Sequence, residues 1–401
     1  MVPSGWKLST IEEIANVSSG GTPSRKNDTY WNGNIPWVTT AEVQFKVIKD
    51  TSEKITEEGL ANSSAKLFPV DTILMAMYGQ GKTRGQVAKL GIEASTNQAC
   101  AAIVLHTDYE VDYYYQFLVS QYENIREMAN SGGQENLSGG IVKSIQVPVP
   151  PLPEQKKIAQ ILSTWDKAIT TTEQLLANSQ QQKKALMQQL LTGKKRLLDK
   201  NGVRFSGEWL TDSLKNIVGK IYGGGTPSRD NPDYWSGSIP WVTVKDLIGS
   251  RITGAQELIT DQGLKESSAN LVAAGTVIIA TRMAVGKTVV ASCEVAINQD
   301  LKAISASEKA CSEYLFYWFT FHSLIISKMG TGSTVKGVQI EVIKSLKMSV
   351  PDSIDEQQKI AAMLFTADQE ITALQQKLHA LKQEKKALMQ QLLTGKRRVI
   401  N

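Results

Sequence analysis

Two stretches decide the fold: Gly20–Thr39, which reads GGTPSRKNDTYWNGNIPWVT, and Gly224–Thr243, which reads GGTPSRDNPDYWSGSIPWVT. They are identical at 15 of 20 positions and lie 204 residues apart. A second segment, KKALMQQLLTGK, occurs unchanged at Lys183–Lys194 and at Lys385–Lys396. Repetition at one nearly constant offset indicates a tandem architecture. The sequence therefore predicts a pseudo-two-fold repeat in which a domain and a long helix each occur twice.

Shorter matches connect these anchors. We align Gly81-Lys82-Thr83 with Gly286-Lys287-Thr288, and Asn97-Gln98 with Asn298-Gln299. Elsewhere the two copies differ, so each half of the chain is expected to have diverged around a shared framework.

The two helical segments carry apolar residues every three or four positions, the pattern of a coiled coil. In the first, Thr172, Ser179 and Lys183 interrupt the apolar series; in the second, Lys385 is its only polar member. The first series is Ile158, Leu162, Trp165, Ile169, Leu176, Leu186 and Leu190, and the second is Ile360, Leu364, Ala367, Ile371, Leu374, Leu378, Leu381, Leu388 and Leu392.

The ends of these segments carry capping residues. Pro153-Glu154 and Asp355-Glu356 suit a first helical turn, and Gly193 and Gly395, each followed by basic residues, suit a C-cap. Each helix is expected to have about 40 residues and a length of about 60 Å. We predict that the two pair with each other in antiparallel fashion. The alternatives are ordinary helices of a larger bundle, or helices that recruit a helix from a partner protein.

The segments between the helices favour mixed α and β structure. Short β-type runs lie at Ile73–Met77, Cys100–Leu105, Val277–Ala280 and Val295–Ile297. Tyr113–Met128 and Ser312–Met329 read as helices. The predicted fold class is α+β: two mixed α/β domains separated by two long antiparallel coiled-coil helices.

Composition excludes several classes of protein. The net charge is +5, the sign that a phosphate-binding surface needs. Cys100, Cys293 and Cys311 lack metal-binding spacing, so we expect neither structural zinc nor disulfides. The apolar runs are shorter than a membrane span and Met1–Thr10 lacks a signal pattern, so a soluble, cytoplasmic protein without membrane contact is expected.

Catalytic motifs are incomplete. A phosphate-binding loop needs a glycine where the chain has Ala76 and Thr281. The nearest match to a methyltransferase motif, Asn231-Pro232-Asp233-Tyr234, has one proline of two, and its counterpart, residues 27–30, has none. The nuclease-like pair Pro351-Asp352 has one candidate partner downstream, Glu384 with Lys386, which lies on the long helix and is expected to be a charged helix surface. We therefore expect no catalytic site and no metal site.

Two polar, glycine-containing loops remain as candidate binding sites. The glycine-rich loop at residues 78–86 and its counterpart at 281–288 carry amide and guanidinium donors that suit base edges and phosphates. A polar surface turn is the alternative for these loops, and buried amides that tie loops together are the alternative for the two Asn-Gln pairs. Arg25 and Arg229 could clamp phosphate, whereas the tryptophans of the repeated segment are expected in the core. The loops 130–140 and 330–337 are secondary candidates. The predicted DNA contacts are Arg25, Tyr78, Gln80, Lys82, Thr83, Arg84, Gln86, Asn97, Gln98, Arg229, Arg282, Lys287, Thr288, Asn298 and Gln299.

The combination of GGTPS, YWxGxIPWV, PPLPEQKKIA and LLTGK resembles the specificity subunits of type I restriction-modification systems, over essentially the full chain. The resemblance implies two target recognition domains, each reading one half of a split, asymmetric DNA site, and a coiled coil that sets the gap. It places the first domain at residues 1–150, the first long helix at 151–197, the second domain at 198–350 and the second helix at 351–401. The second helix entry, Pro351-Asp352-Ser353-Ile354-Asp355-Glu356-Gln357, departs from the proline-rich form.

The same resemblance implies partners and cofactors. Two methyltransferase (modification) subunits would use S-adenosylmethionine to methylate adenine, and restriction/translocase subunits would use ATP and Mg; this chain itself would bind no cofactor. Docking would fall around Pro151–Ala159 and Glu356–Ala361 and on the repeated KKALMQQLLTGK segments, where self-pairing is equally open. A self-contained enzyme and a protein-binding scaffold are the competing hypotheses. Substituting Arg84 is expected to relax specificity in one half-site only.

Overall fold

The computed structural model describes residues 2–79, 82–130, 136–331 and 337–399. It divides into two compact units. One unit holds residues 1–174 and 376–401, and the other holds residues 175–375. Each unit contains one α/β domain together with a part of each long helix, so the two are described separately.

The first unit has an α/β domain followed by a long helix. Its strands are β1 (Lys7–Thr10), β2 (Ala15–Ser19), β3 (Trp31–Val38), β4 (Val47–Ile48), β5 (Glu53–Ile55), β6 (Leu67–Phe68), β7 (Ile73–Ala76), β8 (Val87–Leu90), β9 (Ala94–Thr96), β10 (Cys100–Leu105) and β11 (Gln146–Val149). Its helices are α1 (Ile11–Ile14), α2 (Glu57–Ala61), α3 (Val111–Ser120), α4 (Tyr122–Asn130), α5 (Gly139–Ser144) and the long α6 (Leu152–Leu190), which continues into the second unit.

The second domain has the same series of elements, except that one helix, α9, takes the place of α3 and α4. Its strands are β12 (Trp209–Ser213), β13 (Ile221–Gly223), β14 (Trp235–Val242), β15 (Arg251–Ile252), β16 (Glu257–Ile259), β17 (Asn270–Val272), β18 (Val277–Ala280), β19 (Thr288–Ala291), β20 (Val295–Ile297), β21 (Leu301–Ile304) and β22 (Lys347–Pro351). Its helices are α7 (Leu214–Ile217), α8 (Asp261–Lys265), α9 (Ser312–Lys328), α10 (Ile340–Ser345) and the long α11 (Ile354–Leu392).

The sheets have one topology in both domains. The first domain has a five-stranded sheet of order β2-β10-β7-β8-β4, a four-stranded sheet of order β5-β3-β9-β6 and the pair β1-β11. The second has β13-β21-β18-β19-β15, β16-β14-β20-β17 and β12-β22 in the corresponding places. Equal strand order confirms the tandem repeat.

Most of the predicted elements are present. The predicted strands Cys100–Leu105, Val277–Ala280 and Val295–Ile297 have the observed bounds. The predicted helix Tyr113–Met128 is wrong in one respect, because it is broken at Gln121 into α3 and α4. Helix α4 starts at Tyr122, whose hydroxyl donates to the Lys82 carbonyl oxygen over 2.5 Å.

The long helices each have 39 residues and pair in antiparallel fashion in both units, as predicted. In the first unit, Lys385 contacts Asp166 and Lys382 contacts Glu173, so the contacts run forward along α6 and backward along α11. In the second unit, Ser179 donates to Glu370 and Lys183 pairs with Asp368, which gives the same direction. The predicted α+β fold class is therefore confirmed.

The ends of the long helices follow the predicted capping chemistry. Gly193 and Gly395 have φ of +71° and +68°, in the left-handed region that glycine adopts without strain. The Gly193 and Gly395 amides donate to the carbonyl oxygens of Leu190 and Leu392, which is the inner hydrogen bond of a Schellman motif. Beyond them, the Lys195 and Arg397 amides donate to the carbonyl oxygens of Gln189 and Gln391.

Each domain is packed onto its helix pair by one continuous apolar core. In the first unit, α3 residues such as Tyr113 and Leu118 pack with Ile158 and Leu162 of α6 and with Leu392 of α11. In the second unit, Tyr314 and Phe319 of α9 share a core with Leu190 of α6 and Leu364 of α11. Hydrophobic burial thus attaches each domain to both helices.

No helix in the part of the chain that the structure describes is both long enough and apolar enough to cross a membrane.

Candidate nucleic-acid interface

The repeated GGTPS and YWxGxIPWV segments form a framework in both domains. The Trp37 indole donates to the Gly21 carbonyl oxygen over 2.9 Å, and the Trp241 indole donates to that of Gly225 over 3.0 Å. Both rings are buried. Trp31 and Trp235 are partly buried beside them, each with an edge-to-face ring contact. The expectation that these tryptophans belong to the core is confirmed.

Arg25 and Arg229 are held by this framework. Arg25 forms a bidentate pair with Glu53 and lies 3.6 Å from the centre of the Trp31 ring. Arg229 pairs with Glu257 and lies 3.8 Å from the Trp235 ring. The hydrogen bonds from Arg25 and Arg229 lower the pKa of their glutamate partners. About half of each arginine side chain is exposed, so the predicted phosphate contact stays a prediction.

Four segments of the first domain meet at one edge of its five-stranded sheet. Strand β7 ends at Ala76 where β10 begins at Cys100, and β2 ends at Ser19 opposite Ala101. The Met77 amide donates to the Ala99 carbonyl oxygen over 2.8 Å, and the Leu137 amide donates to that of Met77 over 3.0 Å. We call this edge, formed by residues 19–22, 77–79, 82–86, 97–99 and 136–138, the first loop edge.

The second domain has an equivalent edge. Here the Thr281 amide donates to the Asp300 carbonyl oxygen, and the Val338 amide donates to that of Thr281, both over 2.8 Å. The second loop edge comprises residues 223–226, 281–287, 298–300 and 337–339. Residues 136–138 and 337, which belong to the two secondary candidate loops, therefore lie at these edges, while residues 131–135 and 332–336 are outside the described residues.

The structure corrects the alignment of the Gly-Lys-Thr triplets. Gly85 and Gly286 are the equivalent glycines, with φ of +83° and +86°, and their amides donate to the carbonyl oxygens of Ala76 and Ala280. Gln86 is thus equivalent to Lys287, because the Ala76 and Ala280 amides donate to their carbonyl oxygens. The alignment was wrong because the first hairpin loop, residues 77–86, is three residues longer than residues 281–287.

Both hairpin loops join two antiparallel strands, β7 to β8 and β18 to β19. A phosphate-binding loop runs instead from a strand into a helix, with helix amides facing the phosphates. The Gly-Lys-Thr triplets therefore lie in a different structural context from that of a nucleotide-binding loop.

Most of the predicted contact residues of the first domain lie at the first loop edge. Tyr78, Lys82 and Gln98 are exposed, while Thr83, Arg84, Gln86 and Asn97 are partly buried. The Asn97 side chain accepts from the Ala99 amide over 3.1 Å, which fixes the turn that presents Gln98. A cavity of about 370 Å³ lies here, lined among others by Ser18, Tyr78, Gln98 and Lys143. Gln80, also predicted, lies outside the described residues.

At the second loop edge, Arg282, Lys287 and Gln299 are exposed. Asn298 accepts from the Asp300 amide over 3.1 Å, as its counterpart Asn97 does from Ala99. Thr288 is only 8% exposed and its hydroxyl donates to the Gly286 carbonyl oxygen over 3.0 Å, so DNA contact by this residue would require the hairpin to open.

The structure adds three residues that the sequence reading missed. The Asp300 carboxylate lies 3.9 Å from the Arg282 guanidinium and accepts a hydrogen bond from the side-chain amide of Asn298 over 3.2 Å. The Lys302 ammonium group donates to the Gln299 carbonyl oxygen over 2.8 Å. Burial lowers the pKa of Lys302; the nearby charge of Arg282 lowers it further, and that of Asp300 opposes the shift. Met283 is 72% exposed at the tip of the hairpin with φ of +61°.

A signal for two of these residues was present in the sequence. Asp300 and Lys302 follow the Asn-Gln pair at positions where the first copy has Ala99 and Ala101. The two loop edges thus share backbone hydrogen bonds but differ in their side chains. Such an arrangement can present different donors and acceptors to two different short DNA sequences.

Comparison with known proteins identifies the family. The model of the type I restriction modification DNA specificity domain matches residues 3–178 and 207–383.

The chain belongs to this family.

The MjaIX specificity subunit of Methanocaldococcus jannaschii is 24% identical over 99% of this chain and 95% of its own length. The EcoR124I/EcoR124II specificity subunit of Escherichia coli is 31% identical over 40% of this chain and 41% of its own. A crystal structure of the type I S subunit from M. genitalium has a TM-score of 0.62 at 15% identity, covering 98% of this chain and 96% of that one.

Membership assigns the chain its general role. Specificity subunits are the DNA-recognition component of the restriction-modification complex and are not its catalytic part. The chain is thus a DNA-binding member of a restriction-modification assembly. The resemblance of the sequence motifs to this family is confirmed.

Proposed function

We propose that this specificity subunit reads a bipartite, asymmetric DNA target with one recognition domain for each half-site. The observation that carries the proposal is the pair of loop edges, which share one backbone scaffold and present different side chains. Gln86 corresponds to Lys287, Ala99 to Asp300 and Ala101 to Lys302. Lysine pairs well with guanine and aspartate accepts from cytosine, whereas glutamine suits adenine, so the two half-sites should differ.

In this proposal the antiparallel helices α6 and α11 set the gap between the half-sites. The chain delivers to the target two methyltransferase subunits, which use S-adenosylmethionine to methylate adenine. It also delivers restriction/translocase subunits that use ATP and Mg. Cofactor chemistry belongs to those partners, while this chain supplies recognition and spacing in the cytoplasm.

Part of the helix surface suggested for docking has intramolecular partners. Glu154 and Glu356 pair with Arg398 and Arg196, and Gln155 accepts from the Glu110 amide at the start of α3. Exposed apolar residues remain on the helices. They are Leu175 on α6 and Met363 and Phe365 on α11, and we propose these as separate docking positions for the methyltransferase subunits, because Met363 and Phe365 lie on different faces of α11.

The test uses two substitutions at equivalent positions, Gln86→Ala and Lys287→Ala, in the complex with its methyltransferase subunit. Each is expected to relax the methylated sequence in a different half-site, by about 1–3 kcal/mol for a lost base contact. Lys382→Ala, on the exposed face of α11, is the control and should leave both half-sites unchanged. Relaxation of the same half-site by both substitutions would refute the assignment of one domain to each half. If neither substitution changes the methylated sequence, Gln86 and Lys287 do not read bases.

A further inference from the structure

The apolar stripe of each long helix contains one largely buried lysine at the same position. Lys183 and Lys385 are the first residues of the repeated KKALMQQLLTGK segment. Their side chains are 18% and 12% exposed. Lysine is almost never buried without a partner, because removing an ammonium group from water costs on the order of several kcal/mol. The partners of these two lysines therefore need an explanation.

Both lysines bind a carboxylate of the other long helix. Lys385 Nζ lies 2.6 Å from Asp166 Oδ1 in the first unit, and Lys183 pairs with Asp368 in the second. Asp166 and Asp368 are themselves equivalent, since both aspartates and both lysines lie 202 residues apart. The two ion pairs are thus one contact repeated by the pseudo-two-fold arrangement of the sequence.

The second oxygen of each carboxylate accepts a hydrogen bond from the α/β domain of the same unit. Gln116 Nε2 on α3 donates to Asp166 Oδ2, and the Tyr317 hydroxyl on α9 donates to Asp368 Oδ2 over 2.9 Å. Both donor residues are buried. Burial, assisted by Asp368, raises the pKa of Tyr317, so its hydroxyl stays protonated and can donate. Each aspartate therefore joins α6, α11 and a recognition domain.

A polar contact within the apolar seam selects one register; here the lysines are largely buried, while Asp166 and Asp368 are 43% and 28% exposed. In coiled coils a polar residue within the apolar seam lowers stability but specifies how the helices align, because a shifted register leaves the charge unpaired. Here a shift of α11 along α6 would break both ion pairs. Because Gln116 and Tyr317 bind the same two aspartates, each domain is coupled to the helix register through its aspartate.

We propose that the pairs Asp166–Lys385 and Asp368–Lys183 are positioning residues that restrict the bipartite target to a single gap length. This inference rests on the proposed function. The ordinary alternative is that they only stabilise the helix pair. The two differ in one measurable quantity: a positioning residue changes the ratio of methylation at correct and incorrect gaps, whereas a stabilising residue changes the total amount.

The experiment uses the double variant Lys183→Met/Lys385→Met in the complex with its methyltransferase subunit. Methionine keeps the length of the side chain and removes the charge. After the methylated motif of the unmodified protein is mapped, plasmids carry its two half-sites with the natural gap and with gaps one or two base pairs shorter or longer. We expect selectivity for the natural gap to fall about tenfold, which corresponds to about 1.4 kcal/mol.

The control is Lys382→Met. Lys382 pairs with Glu173 on the same two helices over 2.7 Å, but the two side chains are 52% and 47% exposed. It should retain full gap selectivity. Tyr317→Phe is a milder second test, since it removes only the hydroxyl that binds Asp368, and it should lower gap selectivity even if the double variant fails to assemble.

Unchanged gap selectivity in both the lysine variant and Tyr317→Phe, with or without less total methylation, would overturn the inference and leave the proposed function intact. An equal loss of selectivity in Lys382→Met would also overturn it. A motif without a gap in the unmodified protein would overturn the proposed function, and the inference with it.

Discussion

The ion pair between Arg196 and Glu356 gives a quantitative prediction for the stability of the second unit. Glu356 is fully buried at the start of α11, and its two oxygens accept from Arg196 Nε and Nη2 over 2.6 Å each. Arg196 follows the C-cap of α6 and also donates to the Gly207 carbonyl oxygen over 2.9 Å. The pair therefore holds the end of one helix against the start of the other.

The perturbation is Glu356→Gln, which keeps the size of the side chain but leaves one acceptor oxygen and places an amide group opposite the guanidinium. Removing one partner of a buried ion pair costs about 3–5 kcal/mol. Arg196 is 20% exposed, so water can solvate part of its charge, and we expect a loss at the lower end, about 3 kcal/mol. For a unit of this size that corresponds to a fall in Tm of about 6–12 °C.

The assay is differential scanning calorimetry of the full chain and of a matched control. Glu173→Gln makes the same chemical change in the exposed pair with Lys382 and should cost less than about 1 kcal/mol. A fall in Tm for Glu356→Gln no larger than that of Glu173→Gln would refute the reasoning, since it would mean that burial adds nothing to the strength of this pair.

Three further predictions follow from the same structure. Hydrogen bonds from Arg398 and from the Trp6 indole lower the pKa of Glu154. The contribution of Glu154 to stability should therefore be full at neutral pH and be lost as pH falls below about 4. In Glu154→Gln, Tm should depend less on pH in this acid range. Gly286→Ala should lower the free energy of unfolding of the second domain, measured by chemical denaturation, by about 1–2 kcal/mol or more. The reason is that φ is +86° and a Cβ would lie 2.6 Å from the Ser323 carbonyl oxygen. Gly275→Ala, also at positive φ but in open space, measures the backbone contribution alone. Arg84→Ala should relax the methylated sequence in one half-site only, and equal selectivity in both halves would remove this residue from base reading.

Periodicity and repetition were sufficient to predict the long helices, because their apolar stripes, capping glycines and repeated segments are local signals. The polar members of the stripes were less informative. Lys183 and Lys385 looked like interruptions of the seam, whereas each is paired with an aspartate far away in the sequence, Asp368 and Asp166. No local pattern encodes such a partner, so only the folded chain explains why a lysine occupies the stripe.

The candidate interface was predicted in outline and corrected in detail. The hairpin loops and the Asn-Gln turns do meet at one sheet edge in each domain. The alignment of the two hairpins failed because loops of different length place Gly85, and not Gly81, opposite Gly286. The equivalence of Gly85 and Gly286 is defined by their backbone hydrogen bonds and not by identical residues at the tip of the loop. Asp300 and Lys302 were overlooked although the Asn-Gln pairs were correctly aligned, because only the folded chain brings both residues close to Arg282.

The central claim is that this chain directs methylation to a split DNA sequence, with one half read by each domain. The most direct measurement is to co-express the chain with its methyltransferase subunit and to map methylated adenines across a genome by single-molecule sequencing. The account predicts one asymmetric motif in two parts with a fixed gap. Absence of methylation, or methylation at a motif without a gap, would contradict it.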